Sequence, residues 1–239
     1  KNIIAVVTDD CERYISTFDV KNGMMKKVIG GNRSFGSLEF HPDGSWVTSM
    51  SDSQLPSEFY ALKDGNLRRL TSIQDDFVAG LSLATVEKFS STSKDGVVVS
   101  NLLFLPASAK KEKLPVIFFI HGGPVGQDDF GFDLTRQMLA AKGYAVIAVN
   151  YRGSNGRGID FCKSIYADWG NKEVIDLIGN VKISTYDGKV LETNQLYFDQ
   201  KNEWFFTEEP FKFKDADGSF LQGIGIDFSK DFKIFNMQN

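Results

Sequence analysis

The chain has 239 residues, of which 42% are hydrophobic and 24% are charged, an ordinary globular composition that excludes wholesale disorder and fibrous repeats. Its 27 basic and 31 acidic side chains give a formal net charge of −4, so no electrostatic attraction for nucleic acid or for an anionic membrane surface is expected. The length accommodates one large domain or two smaller ones. Two counts are unusual, namely 21 phenylalanines and only 2 histidines.

Neither a metal nor a cofactor is expected from the motifs. Cys11 and Cys162 lie far apart without a Cys-x-x-Cys pair or a cysteine–histidine cluster, so we predict two buried free thiols, with one disulfide as the alternative. Gly153, Gly156 and Gly158 follow the order G-x-x-G-x-G rather than the dinucleotide-binding order G-x-G-x-x-G. The longest apolar runs are far shorter than the ~20 residues of a membrane-spanning helix.

Residues 1–75 alternate short apolar segments with turn residues, a rhythm typical of propeller blades or sandwiches. Turn signals such as His41-Pro42-Asp43-Gly44 separate the segments. The chain begins at Lys1 inside the first of them and without a signal peptide, which indicates a segment of a longer protein. The predicted strands are Ile3–Thr8, Tyr14–Val20, Met24–Ile29, Ser37–Phe40, Ser45–Met50, Glu58–Leu62 and Leu67–Leu70.

Residues 84–178 combine apolar strands with helical spacing. Strands are predicted over Val98–Phe104, Val116–Ile120 and Tyr144–Asn150, and the continuous apolar character of the second is typical of a strand buried on both faces. A helix over Phe132–Lys142, with Leu134, Met138 and Leu139 on one side, connects the last two strands. Because strand, helix and strand form a βαβ unit, the sheet is predicted to be parallel. A second helix is predicted over Lys172–Ile178, with Asn171 as its N-cap.

Residues 180–239 show strands and hairpin turns but no helical pattern, and nine of the phenylalanines lie in the last 61 residues. That shift in composition places a domain boundary near Leu177–Gly179. The predicted strands are Val181–Ser184, Val190–Phe198, Glu203–Thr207, Phe211–Lys214, Phe220–Phe228 and Phe232–Phe235.

Four segments occur in this order: SLEFHPDGSWV, LRRLTSIQDDFVAGLSLATVEKFSSTSKDG, LPVIFFIHGGPVGQDDFGFDLTRQMLAAKGYAVIAVNYRGSNGRGIDF and ADWGNKEVIDL. Together they resemble the prolyl oligopeptidase family of serine peptidases, in its acylaminoacyl-peptidase-like branch. In that family they look like a blade strand and turn, a last blade entering a hydrolase domain, the first half of an α/β-hydrolase domain, and the helix before the nucleophile strand. The resemblance implies a β-propeller end over residues 1–78, a peptidase domain start over 79–178, and a peptide substrate.

The resemblance also assigns two loops. His121, Gly122 and Gly123 follow a buried strand and are oxyanion-loop candidates, since glycines let backbone N–H groups approach a substrate oxygen. For His121, a role in shaping the loop is favoured over catalytic proton transfer. The second loop contains Tyr151, Arg152 and Gly153 as structural residues, and Arg152 is expected to pair with Asp160 or Asp168.

The catalytic triad itself is missing from the sequence. A serine hydrolase of this fold needs a G-x-S-x-G elbow followed by an acid and a histidine, and none of the 22 glycines begins that motif. His41 and His121 both precede the place where the nucleophile belongs. We therefore expect no triad and leave open whether the chain is an enzyme.

The last 60 residues resemble a different family, the LptC/OstA-like periplasmic proteins of lipopolysaccharide export. The resemblance rests on GKVLETNQLYFD, TEEPFKF and DGSFLQGIGIDFS, and implies a jelly-roll of antiparallel hairpins over 179–239 that holds lipopolysaccharide or other acyl chains. Apolar residues alternate with a period of two and so share one face of the strands. Such a face suits the core of an ordinary sandwich as well as a lipid-binding interior. The lipid-facing candidates are Phe211, Phe213, Ile224, Ile226 and Phe228.

Taken together, the sequence predicts a mixed α/β and β chain made of partial domains. The main hypothesis is an incomplete serine peptidase joined to a lipopolysaccharide-export-like segment, with a lipid-binding or transport bridge carried by that segment as the alternative. We interpret the chain as a chimera of unrelated pieces, with exposed apolar surface and marginal stability. The compartment, periplasm or cytoplasm of a bacterium, is left open.

Overall fold

The computed structural model describes residues 2–93, 95–107, 113–123, 125–166, 175–185, 187–199 and 203–237, with backbone only for 175–180 and 184. The chain forms two compact units, Lys1–Ser164 and Ile165–Asn239. The observed division lies before the boundary that the phenylalanine distribution predicts near Leu177–Gly179.

The first unit begins with a seven-stranded sheet. Strands β4 to β7 form a four-stranded antiparallel meander, the arrangement of a propeller blade, and β2 carries β1 on one side and β3 on the other. A single parallel pairing, Arg13 with Ser34, joins the two groups. The strands are β1 Asn2–Asp9, β2 Glu12–Asp19, β3 Met25–Ile29, β4 Arg33–Phe40, β5 Trp46–Asp52, β6 Glu58–Lys63 and β7 Asn66–Arg69, and the short helix α1, Asp75–Ala79, follows them.

The second sheet of this unit has the order β10-β11-β9-β8. Only β10 and β11 are parallel, whereas β11–β9 and β9–β8 are antiparallel, so the predicted parallel sheet is a mixed one. The crossover through a helix forces the one parallel pair, and the direct turn between β8 and β9 produces an antiparallel pair. The elements are β8 Thr85–Thr92, β9 Val98–Leu105, β10 Val116–Ile120, helix α2 Leu134–Ala141, β11 Ala145–Asn150 and helix α3 Ile159–Lys163.

Strand β10 is not buried on both faces as its apolar run predicts. It is an edge strand of the described sheet, and Val116, Phe118 and Ile120 are 50%, 42% and 40% exposed on one face. Ile117 and Phe119 point to the other face and pack against the core of the sheet. A strand that is apolar throughout but exposed on one face is typical of a strand whose exposed face packs against another part of a protein.

Helix α2 buries only part of the predicted face, because Leu139 packs against the core of the sheet whereas Leu134 and Met138 do not. Asp133 caps it by accepting from the N–H of Arg136, and Arg136, Gln137 and Ala140 are buried. Leu134 and Met138 are 46% and 59% exposed, because the guanidinium of Arg136 lies over aromatic rings of the sheet and takes the place that the spacing assigns to leucine.

The second unit is a five-stranded antiparallel meander whose strands pair in chain order. The predicted helix over Lys172–Ile178 is wrong where the structure describes it, because 175–178 begin strand β12; residues 171–174 lie outside the described ranges. The strands predicted at 203–207 and 211–214 are one strand with a register shift at Pro210. The elements are β12 Ile175–Ser184, β13 Val190–Asp199, β14 Trp204–Lys214, β15 Phe220–Ser229 and β16 Phe235–Met237.

The phenylalanine excess of this unit forms its core. Phe211, Phe213, Ile226 and Phe228 are all at most 6% exposed and pack with Phe232, which belongs to a turn rather than to the predicted strand Phe232–Phe235. Ile224, which alternation places with Ile226, is 69% exposed. Gly225 adopts φ +73° between them, so the alternation shifts by one residue and turns Ile224 outward.

Candidate functional site

The site lies at the carboxyl ends of β10 and β11, the edge where parallel strands of α/β proteins bind ligands. His121 to Gly123 follow β10 directly, and Tyr151 to Ser154 follow β11. Because the two strands are neighbours and parallel, the two predicted loops meet at this edge. The structure therefore brings the oxyanion-loop candidates and the second loop's residues together.

The glycine turn after β10 is open. Gly122 and Gly123 are exposed, and a Cβ added to Gly122 would meet no atom within 4 Å. Gly123 has φ +137°, and its Cβ would come within 3.0 Å of the Val125 nitrogen, so a side chain there is strained and crowded. Within the described residues no acceptor faces the N–H of either glycine. Two such N–H groups are the kind of donor that stabilises an oxyanion.

Both ring nitrogens of His121 contact atoms of the two loops. Its Nδ1 lies 3.0 Å from the carbonyl oxygen of Gly122 and its Nε2 lies 3.0 Å from Oγ of Ser154. A serine hydroxyl on a histidine nitrogen has the geometry of a nucleophile–base pair. Ser154 is 0% exposed, however, so no substrate reaches its oxygen.

Tyr151 and Gly153 contact neighbouring backbone within this edge of the sheet. The Tyr151 hydroxyl donates to the carbonyl oxygen of His121 at 2.7 Å, and the two rings stack with centroids 4.7 Å apart. Gly153 has φ +92° and donates its N–H to the carbonyl oxygen of Phe161. A residue with a Cβ is disfavoured at that backbone conformation.

Arg152 does not pair with Asp160, and Asp168 lies outside the described residues. It binds instead the turn between β8 and β9, where Asp95 Oδ2 lies 2.6 Å from Nη1 and Ser93 Oγ lies 3.0 Å from Nη2. The hydroxyl of Ser93 and the guanidinium of Arg152 lower the pKa of Asp95 to about 2. Proximity in sequence does not identify this partner, because β9 adjoins β11 in the sheet and brings the turn that precedes β9 close to Arg152.

A buried ion pair that the sequence analysis did not predict lies next to the last residue of β11. Asp128 and Arg136 form an ion pair in which both side chains are only 7% exposed. Burial raises the pKa of Asp128, although the positive charge of Arg136 beside it acts in the opposite direction. Asn150, the last residue of β11, accepts from the N–H of Asp128 and donates to its carbonyl oxygen. No sequence signal pointed to Asp128; Ser154 directly follows the Tyr-Arg-Gly motif and could have been singled out.

The arrangement holds donors for a substrate oxygen but no described acid–base machinery for bond cleavage. No group of three histidine, cysteine, aspartate or glutamate side chains in the described ranges is placed to hold a metal ion. Equally, none of the helices described there has the length and apolar character to cross a bilayer.

Comparison with known proteins supports a relationship to the serine peptidases. Residues 130–198 match the model of the prolyl oligopeptidase family, a match that continues past the predicted boundary at 178 into β12 and β13. The chain is 34% identical over 145 residues to Uncharacterized peptidase YuxL of Bacillus subtilis, and 31% identical over 155 residues to Dipeptidyl aminopeptidase BIII of Pseudoxanthomonas mexicana. These alignments cover 59% and 61% of the chain but 22% of each relative.

Solved structures show the same fold. Uncomplexed acylaminoacyl peptidase of Pyrococcus horikoshii matches with a TM-score of 0.63 and 25% identity, over 72% of the chain and 27% of that protein. A putative dipeptidyl aminopeptidase IV from Bacteroides ovatus matches with a TM-score of 0.54 and 19% identity, over 72% and 26%. The chain thus shares its fold with solved peptidase structures over part of its length, and spans about a quarter of its relatives.

Proposed function

We propose that the first unit is the part of a prolyl oligopeptidase family serine peptidase that supplies the oxyanion loop, and that the chain does not hydrolyse peptides by itself. One observation carries the proposal: the two unoccupied N–H groups of Gly122 and Gly123 lie at the carboxyl edge of a parallel strand pair, held by the loop after β11. The substrate class, peptides, comes from the family resemblance.

The missing chemistry follows from the sequence. The chain has no G-x-S-x-G elbow, and its only histidines are His41 in a blade turn and His121 in the oxyanion loop. The exposed face and open edge of β10 are where a further strand and its helix would extend the sheet. A nucleophile delivered at the end of such a strand would lie beside Gly122 and Gly123.

A graft tests the proposal. Residues 2–164 are joined to the hydrolase segment that follows the aligned region in Uncharacterized peptidase YuxL, and labelling by a fluorophosphonate probe is measured. We expect stoichiometric labelling of the graft. The Gly123→Val graft, which crowds the Val125 backbone, is expected to fold and to label at least ten-fold more slowly. A folded graft that does not label, or that labels equally with Gly123→Val, would contradict the proposal.

Acyl-chain binding by the second unit is the alternative proposal. Its support is a cavity of ≈ 690 Å³ across β12 to β15, which includes Phe211 and Ile224 in its lining. Lys182, Glu192 and Lys212 also line it, so its wall is partly charged. The burial of Phe213, Ile226 and Phe228 in a core favours the ordinary packing role for those three residues.

Photo-crosslinking tests this alternative. A photoreactive lipopolysaccharide is expected to label the second unit at the cavity, and Ile224→Asp, which changes an exposed side chain, is expected to abolish that labelling. Ile234→Asp, also at an exposed isoleucine but outside the cavity lining, is the matched control. Labelling no stronger than that of an unrelated protein would exclude lipid binding here. The interpretation as a chimera is a separate proposal, tested by sequencing the source DNA across the codons for Asp176–Asn180.

A further inference from the structure

Residue 121 is held at three points by one short segment of chain, Tyr151 to Ser154. The tyrosine hydroxyl binds its carbonyl oxygen, the tyrosine ring stacks on its imidazole, and the Ser154 hydroxyl binds its Nε2. Three different contacts on one residue restrict its backbone, its ring plane and the rotation of its ring. The glycine turn begins at the next residue.

The partners of the imidazole define its proton positions. The carbonyl oxygen of Gly122 can only accept, so Nδ1, 3.0 Å away, carries the hydrogen. In a neutral imidazole the other nitrogen is then an acceptor, and the hydroxyl of Ser154 must donate to Nε2. Ser154 is fully buried, and within the described residues its hydroxyl has no other hydrogen-bond partner. The hydrogen bond therefore satisfies a group whose burial would otherwise be costly.

We propose that Ser154 is a positioning residue: by donating to Nε2 it holds the imidazole of His121, whose Nδ1–H tautomer the Gly122 carbonyl oxygen sets, in one orientation and thereby fixes the start of the glycine turn. The ring bridges the two loops because its Nδ1 binds within its own loop and its Nε2 binds the loop after β11. Without the Ser154 hydroxyl the Nε2 end of that bridge has no donor, and the ring is restricted only by the Tyr151 stacking and by the bond from Nδ1 to Gly122. That this turn serves as an oxyanion loop rests on the proposed function; the tautomer and its cause do not.

Nuclear magnetic resonance of the imidazole nitrogens tests the inference directly on the whole chain. The chain has only two histidines, so uniformly ¹⁵N-labelled protein gives two ring systems, and His41 serves as an internal reference. At about pH 8, above the ordinary imidazole pKa of ~6.5, we expect Nδ1 of His121 to resonate as a protonated nitrogen and Nε2 as a hydrogen-bonded acceptor. A protonated Nε2 in the wild-type chain would overturn the inference, whatever any variant does.

Three variants test whether the Ser154 hydroxyl is the donor to Nε2 of His121. Ser154→Ala is expected to shift the Nε2 resonance towards that of an unbonded acceptor nitrogen and to leave His41 unchanged. Ser164→Ala is the matched control, because its hydroxyl binds the Phe161 carbonyl oxygen and not His121. Ser154→Thr keeps a hydroxyl and is expected to restore the wild-type Nε2 signal. An unchanged Nε2 resonance in folded Ser154→Ala, or an equal shift in Ser164→Ala, would contradict the proposal without bearing on the graft experiment.

Discussion

Cys11 is a fully buried residue in a tight turn with a positive φ. Asp10 and Cys11 have φ of +36° and +73°, the signature of a two-residue hairpin turn between β1 and β2. The Cys11 side chain is 0% exposed and its Sγ accepts from Asn150 at 3.1 Å. Both cysteines are buried free thiols, which confirms the prediction from their spacing. The turn thus joins the blade sheet to the end of β11.

The thiol of Cys11 predicts a loss of stability at high pH. Burial raises its pKa from 9.0 to about 11, so the unfolded thiol ionises while the folded one stays neutral. The contribution of the neutral Cys11 thiol to the free energy of unfolding is fully present below pH 9. It falls by about 2–3 kcal/mol as the pH rises to about 11. Cys11→Ala should remove that part of the alkaline decline in the free energy of unfolding, measured with urea from pH 8 to 11. Parallel curves for wild type and variant would contradict it.

Gly156 predicts a second residue-scale effect. It has φ +83°, and a Cβ there would collide with Gln127 and come within 2.9 Å of the Asp10 nitrogen, whose N–H binds the Gly156 oxygen. Gly143, at φ +93°, has open space around it. Gly143→Ala should therefore cost only backbone strain, about 1–2 kcal/mol, and Gly156→Ala about 2–4 kcal/mol because overpacking adds to the strain. Equal losses in chemical denaturation would show that the close approach at Gly156 contributes nothing.

Strand β10 carries the prediction at the element scale. Phe118 is exposed on an edge strand, whereas Phe119 packs into the core with the Arg136 guanidinium 4.7 Å from its ring centroid. Phe118→Lys should reduce self-association, because a charge on an edge strand opposes pairing with another chain. Its free energy of unfolding should change by less than about 1 kcal/mol. Phe119→Lys should abolish folding, since it buries an ammonium beside a guanidinium.

Sedimentation velocity and urea unfolding of the two variants check that prediction. Equal self-association in wild type and Phe118→Lys would show that the open face of β10 is not where copies meet. Equal stability of the two lysine variants would contradict the assignment of faces along the strand.

For single strands and helices, the bounds are easier to predict from the sequence than the buried face. Val116–Ile120 was predicted with its observed bounds because a short apolar run between a proline and a glycine turn has few other solutions. Its exposure was not predictable, since burial depends on what lies beside the strand. On α2, Arg136 is buried where the helical spacing predicts Leu134 and Met138, because two aromatic rings of the sheet contact its guanidinium. At Ile224 one glycine in a left-handed conformation reversed a face that alternation assigned.

Within the candidate site, chain order alone brought the two loops together, because loops after neighbouring parallel strands must meet. The individual partners were not predictable. The pairing of Arg152 with Asp95 and the bond from Ser154 to His121 join positions separated by 57 and 33 residues. Such contacts depend on the strand order of the sheet, which the sequence pattern left open.

On the scale of the whole molecule, two units with separate cores share one chain, and the chain spans about a quarter of its peptidase relatives. In the first unit the proposed oxyanion loop directly follows β10, an edge strand of the described sheet. The chain as given has no elbow serine and no histidine after that loop. Our central proposal is therefore that the glycine turn after β10 is an oxygen-binding loop in a chain that lacks the nucleophile.

Fluorophosphonate labelling of the unmodified chain tests that claim most directly. Intact mass after incubation with excess probe is compared with that of a serine peptidase treated in parallel. The account predicts no mass increase on the chain, because Ser154, the one serine bonded to a histidine among the described residues, is inaccessible to the probe. Stoichiometric addition of one probe to any serine would contradict it.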